Sequence, residues 1–90
     1  MRIYMQMPPL ENKPPRFYHI ILEQDLLDGW NLTRESGMQG SSGKVTRQHF
    51  EDWEEAQQMF AKVRDQQSKK GYRAVFIEGA QLLTEDGDGI

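Results

Sequence analysis

RFYHIILEQDLLDGWNLTRE, residues 16 to 35, is the stretch that decides the architecture. Its first part, Phe17 to Gln24, is rich in aromatic and β-branched residues and reads as a strand. Asp28-Gly29 is a turn signal. Beyond it Trp30, Leu32 and Arg34 alternate with Asn31, Thr33 and Glu35, the period-two pattern of a second strand. Two strands joined by so short a connection pair antiparallel, so a hairpin lies at the centre of the reading.

Working outward, Gly37-Met38-Gln39-Gly40-Ser41-Ser42-Gly43 reads as a glycine-rich loop. Lys44 to Phe50 follows as a third strand, with Val45, Arg47 and His49 on one face and Thr46, Gln48 and Phe50 on the other. A helix is predicted from Asp52. Asp52 suits the N-cap and Glu55 completes a capping-box pair, while Glu54 and Glu55 lie where the helix dipole favours negative charge. Trp53, Ala56, Met59, Phe60 and Val63 form one apolar stripe. Lys69 and Lys70 suit the last turn and Gly71 stops it. Tyr72 to Ile77 reads as a closing strand, and Ala80 to Leu83 as a short packed piece.

On the N-terminal side, Ile3, Met5 and Met7 fall on one face of an extra strand. Pro8-Pro9 and Pro14-Pro15 then bracket an extended connector. The expected organisation is an N-terminal extended segment over residues 1–15, a domain over 16–80 whose ordered core begins at Arg16, and an acidic tail over 81–90. The fold class is α+β, an antiparallel sheet of about four to five strands with one helix packed across one face.

Ninety residues allow a single domain with a thin core, burying roughly 60–65% of its unfolded surface. The chain has no cysteine, so disulfides and thiolate zinc sites are excluded. No apolar run reaches the roughly 20 residues of a membrane span, and the start lacks the apolar stretch of a secretory signal. The expected address is cytoplasmic, with no membrane partner. The net charge is −3, but Glu85, Asp86 and Asp88 account for it, and the other Asp and Glu residues balance the eleven Lys and Arg. A neutral body can still hold a basic patch for phosphates.

The order of these elements resembles the WGR domain, found in DNA-dependent poly(ADP-ribose) polymerases and in small bacterial proteins. The family pattern begins with Arg-Phe-Tyr, as in Arg16-Phe17-Tyr18, and runs through an acidic-leucine turn into Trp-x-Leu-x-Arg, as in Trp30, Leu32 and Arg34. Phe50, Glu55-Ala56, Lys69-Lys70 and Gly71-Tyr72 match later positions. The name motif Arg-x-Trp-Gly-Arg-x-Gly is here Arg34-Glu35-Ser36-Gly37-Met38-Gln39-Gly40, with Ser36 for the Trp and Met38 for the Arg. The resemblance covers about residues 16 to 73. It implies a non-enzymatic module whose motif engages a DNA end, the Trp packing on a terminal nucleotide. Serine has no flat face to stack, and methionine cannot bridge to phosphate as guanidinium does.

Arg34, Lys44 and Arg47, around a loop shaped by Gly37 and Gly40, are the residues expected to meet phosphate. The plainer reading makes them solvated strand residues paired with Glu35 or Glu51. Gly40-Ser41-Ser42-Gly43-Lys44 is not a P-loop, since Met38 stands at the first required glycine and Val45 at the Ser/Thr. No nucleotide or other cofactor is expected. His19 and His49 lack further ligands at metal-site spacing. Two functions follow. One is weak DNA binding, to ends or phosphates; the alternative is a protein-interaction or accessory module that has lost DNA binding.

Overall fold

The computed structural model describes residues 1–9 and 11–79. The expected packed piece at Ala80 to Leu83 and the acidic tail lie outside the described residues. The elements are β1 (Arg2–Met7), β2 (Arg16–Gln24), β3 (Trp30–Met38), β4 (Lys44–Phe50), α1 (Trp53–Lys70) and β5 (Arg73–Glu78). The strands form one antiparallel sheet in the order β4-β3-β2-β1-β5, and α1 crosses one face. The α+β expectation holds.

Strand alternation fixes the two faces. Ile3 and Met5 on β1, Ile20 and Leu22 on β2, and Leu32 on β3 point to the helix side and are buried. The helix answers with Ala56, Phe60 and Val63. Burying each large apolar side chain contributes roughly 1.5–3 kcal/mol. The other face carries Tyr4, Phe17, His19, Glu35 and Val45 in register and has no element packed on it among the described residues.

The expectation that the ordered core begins at Arg16 is corrected. Strand β1 lies inside the sheet between β2 and β5, and Ile3 and Met5 are each only 1% exposed. Two methionines and a glutamine among its six residues give β1 modest intrinsic strand preference, and partners on both sides override it. The glycine loop is also shorter than expected. Strand β3 continues to Met38 because Arg16 and Phe17 pair with Met38 and Gly37, leaving residues 39–43 as the loop.

The helix begins and ends where its signals place it, with one difference. Asp52 occupies the N-cap position in extended geometry, yet its side chain makes no capping hydrogen bond, so the capping-box expectation is not met. At the other end Gly71 adopts φ 114°, which side chains disfavour. Its N–H donates to the Ser68 carbonyl and the Tyr72 N–H to that of Gln67, each at 3.1 Å, closing the helix as a Schellman turn.

Candidate nucleic-acid interface

The sheet register sets the motif segment among its neighbours. Arg34 lies opposite Ile20 and Thr46, Ser36 opposite Tyr18 and Lys44, and Met38 opposite Arg16. These positions alternate along β3, so all three side chains belong to the helix side of the sheet. Arg47 belongs to the other face, where its Nε donates to Thr33 Oγ1 at 3.4 Å. The structure therefore brings Arg34 and Lys44 together and leaves Arg47 apart.

The glycines shape the loop. A Cβ on Gly37 would lie 3.1 Å from the Gly43 Cα, and one on Gly43 would lie 2.9 Å from Glu35 Cγ and 3.0 Å from Phe17 Cζ. The strand end and the returning loop approach more closely than side chains permit. Gly40 takes φ 87° at the tip. Ser41 Oγ donates to the Met38 carbonyl at 2.9 Å, and the Gln39 N–H donates to that of Pro15 at 2.9 Å. Gln39 Nε2 donates to the Tyr4 hydroxyl at 2.6 Å, tying the loop to β1.

Of the plainer reading, the solvated part agrees with the structure, since Lys44 and Arg47 are exposed strand residues, but the ion pairs do not. The ion pairs among the described residues are Arg2–Glu78, His49–Asp25 and Arg64–Asp65, and none includes Arg34, Lys44 or Arg47. Glu35 faces away from Arg34 and Lys44, because its neighbours in register are His19 and Val45.

Two further cations join the site. Lys13 and Arg16 line a groove with Met7, Pro8, Pro14 and Met38, so the altered second motif position opens beside them. Met38 is 40% exposed there. Sequence reasoning placed Arg16 at the start of a strand but had no means of seeing it meet Met38. The register supplies that contact.

Charge is polarised along the strands. Trp30 and Trp53 pack with ring centroids 4.5 Å apart, fixing the helix start over the Gln24–Trp30–Phe50 end of the sheet. Tyr18 and Tyr72 meet at 5.6 Å, fixing the helix finish over the opposite end. Lys69, Lys70 and Arg73 thus join Lys13, Arg16 and Lys44 at the motif end, whereas Asp25, Asp28, Glu51, Asp52, Glu54 and Glu55 gather at the other. At the acidic end the Leu27 N–H and the Asn31 side chain donate to Asp25 and, with His49 nearby, hold its carboxyl below the usual range. His19 packs edge-on to Tyr4 at 5.5 Å, and burial, then Arg2, lowers its pKa against a smaller opposing effect of Glu35. His19 and His49 stand on strands separated by β3.

A basic end built around a Gly-containing strand terminus, with β1 integral to the sheet, is the frame in which the family match falls. The model of the WGR domain matches residues 1–77. The chain belongs to the WGR domain family. WGR domains are nucleic-acid-binding-type modules in proteins related to poly(ADP-ribose) polymerases, and the domain by itself is a binding module rather than a catalytic one. The match starts at the first residue, in keeping with the place of β1 in the core. No curated protein and no solved structure matches the chain. No described helix is long and apolar enough to cross a membrane.

Proposed function

We propose that this WGR domain binds nucleic-acid phosphates at its basic end. Arg16 and Lys44 flank the β3 terminus, with Arg34, Lys13, Lys69 and Lys70 around them. The single observation that carries this reading is the gathering of the motif segment with cations that have no ion-pair partner among the described residues. Cations free of internal partners exchange condensed counterions for phosphate contacts. Gly37 and Gly40 hold the loop in shape for that contact, and Arg47, on the far face, stands outside it.

Affinity is expected to be weak. The pattern's stacking Trp is Ser36, and base–aromatic stacking is worth about 1–3 kcal/mol. With Met38 in place of the second motif arginine, the bidentate phosphate grip of a guanidinium is absent from that position.

The test is an amide NMR titration with a short duplex bearing a 5′-phosphate, at low and physiological salt. Shifts should cluster on Arg16, Ser36–Lys44 and the helix end, and fade as salt rises. Arg16→Ala and Lys44→Ala should each weaken binding and reduce the salt slope by about 1, while Arg47→Ala leaves both unchanged. Ser36→Trp should tighten binding. Absence of shifts at low salt would sink the reading and favour an accessory module whose groove at Met38, Met7 and Pro8 takes a protein partner.

A further inference from the structure

The sheet has two edges, and they differ in what they offer a neighbouring strand. Strand β4 is polar and cationic: Lys44, Arg47 and His49 are exposed along it. Pairing β4 with itself about its centre would set Arg47 against Arg47 of the second copy, a like-charge contact that discourages association. Strand β5 is the reverse. Its six side chains are all exposed, Val75 at 60%, Phe76 at 51% and Ile77 at 46%. Its outer hydrogen-bonding side faces no strand among the described residues.

The sequence of β5, Arg-Ala-Val-Phe-Ile-Glu, carries opposite charges at its two ends. Antiparallel pairing of two copies turns on an axis perpendicular to the sheet, so paired residues must share a face. In a regular strand of six residues the first and last point to opposite faces, and the charges could not meet. The register with β1 removes that obstacle. Between Tyr4 and Met5 the pairing shifts, and β5 uses an extra residue, Val75, at that point. Arg73 therefore shares a face with Gln6 and Glu78 with Arg2, both on the open side of the sheet, while Ala74 and Ile77 follow Met5 and Ile3 to the helix side.

We infer that β5 is a self-pairing edge that joins two copies of this chain in an antiparallel continuation of the sheet. An axis through Val75–Phe76 sets Arg73 opposite Glu78 of the second copy, Ala74 opposite Ile77, and the exposed Val75 and Phe76 of each copy against the other's. A bulge commonly turns an edge away from partners. Here it is also what puts the complementary charges on one face. A single strand pair makes a small interface, so dissociation is expected in the range of about 10–100 µM. Arg73 stands at the basic end and Glu78 at the opposite one, so the strand pair borders the proposed phosphate site, but the pairing needs no phosphate contact and the inference does not depend on that site.

The experiment is sedimentation equilibrium of the full chain from about 10 µM to 1 mM, with Arg73→Glu and Glu78→Arg tested alone and mixed. Wild type should shift from monomer to dimer across that range. Each variant alone places like charges at both ends of the strand pair and should remain monomeric. Their equimolar mixture restores opposite charges at both ends and should dimerise. The Arg2–Glu78 ion pair, at 3.3 Å, is lost in Glu78→Arg whether alone or mixed, so recovery on mixing cannot come from it. Amide spectra of the two variants should match wild type away from β5, establishing that both fold. Wild type that stays monomeric to the highest concentration overturns the inference. So does a dimer unaffected by either variant, or a mixture that stays monomeric where wild type dimerises.

Discussion

The two ends of this sheet differ in what they pack and what they expose. At one, Trp30 and Trp53 lie 4.5 Å apart with Phe50 beside Trp30 in register, and the surrounding charge is carboxylate. At the other, the strand terminus is held by backbone turns and close glycine contacts, methionine and proline line the adjoining groove, and Lys13, Arg16 and Lys44 gather near the Tyr18–Tyr72 pair. The first end has large aromatic surfaces that leave water on folding. The second also buries aromatic surface, in Tyr72 packed on Tyr18, but sets exposed cations beside it. The comparison teaches that exposed cations cluster at one end of the strand axis and the tryptophan pair at the other, so under the proposed phosphate site stability and binding should respond to different substitutions.

The largest effect that would sharpen this contrast is at the aromatic end. Trp53→Ala should destabilise by about 2–3 kcal/mol, since it removes a half-buried indole packed on Trp30. Met38→Ala at the other end should cost no more than about 0.5 kcal/mol, as expected of an exposed position. Urea denaturation of both variants makes the comparison, and equal losses would break it. A smaller effect concerns the helix start at the same aromatic end. Replacing an N-cap residue that bonds to its helix costs about 1 kcal/mol, but Asp52 makes no such bond, so Asp52→Ala should cost less than about half of that. A full loss would show that the cap forms in solution.

The smallest effects expected are those of pH, and they also differ by position. Both His19 and Asp25 have folded pKa values lowered from their ordinary ones. For each, the contribution to stability is present above the ordinary value and is lost as pH falls through the folded value. The window of His19 opens below 6.5 and that of Asp25 below 3.8. His19→Gln should therefore flatten the loss of thermal stability between neutral and mildly acidic pH, and Asp25→Asn should leave that interval unchanged. Melting curves across pH check this, and an unchanged slope in His19→Gln would contradict the burial assigned to its ring.

Much of the fold could be read from short-range pattern. The alternation in Trp30 to Glu35, the apolar stripe of Trp53 to Val63 and the stop at Gly71 each depend on residues a few positions apart, and each element stands where that pattern put it. The candidate site was legible only in pieces. Arg34 and Lys44 could be named from their place beside the glycines. Arg47 was expected with them, and the pairing of β3 with β4 puts it on the other face, opposite Thr33. Arg16 and Lys13 carried no local signal, because what brings them to Met38 is the register of β2 on β3 and the path of the connector.

Period, capping position and turn chemistry were thus determined by the sequence alone, since backbone geometry and side-chain direction repeat over a few residues. The tertiary structure decided the rest. It placed β1 inside the sheet, aimed the helix so that its lysines finish beside the motif, and put a bulge in β5 that brings Arg73 and Glu78 to one face. Each of these depends on which distant segments pair and in what register, and the burial of one shared apolar face, rather than any local preference, selects that register.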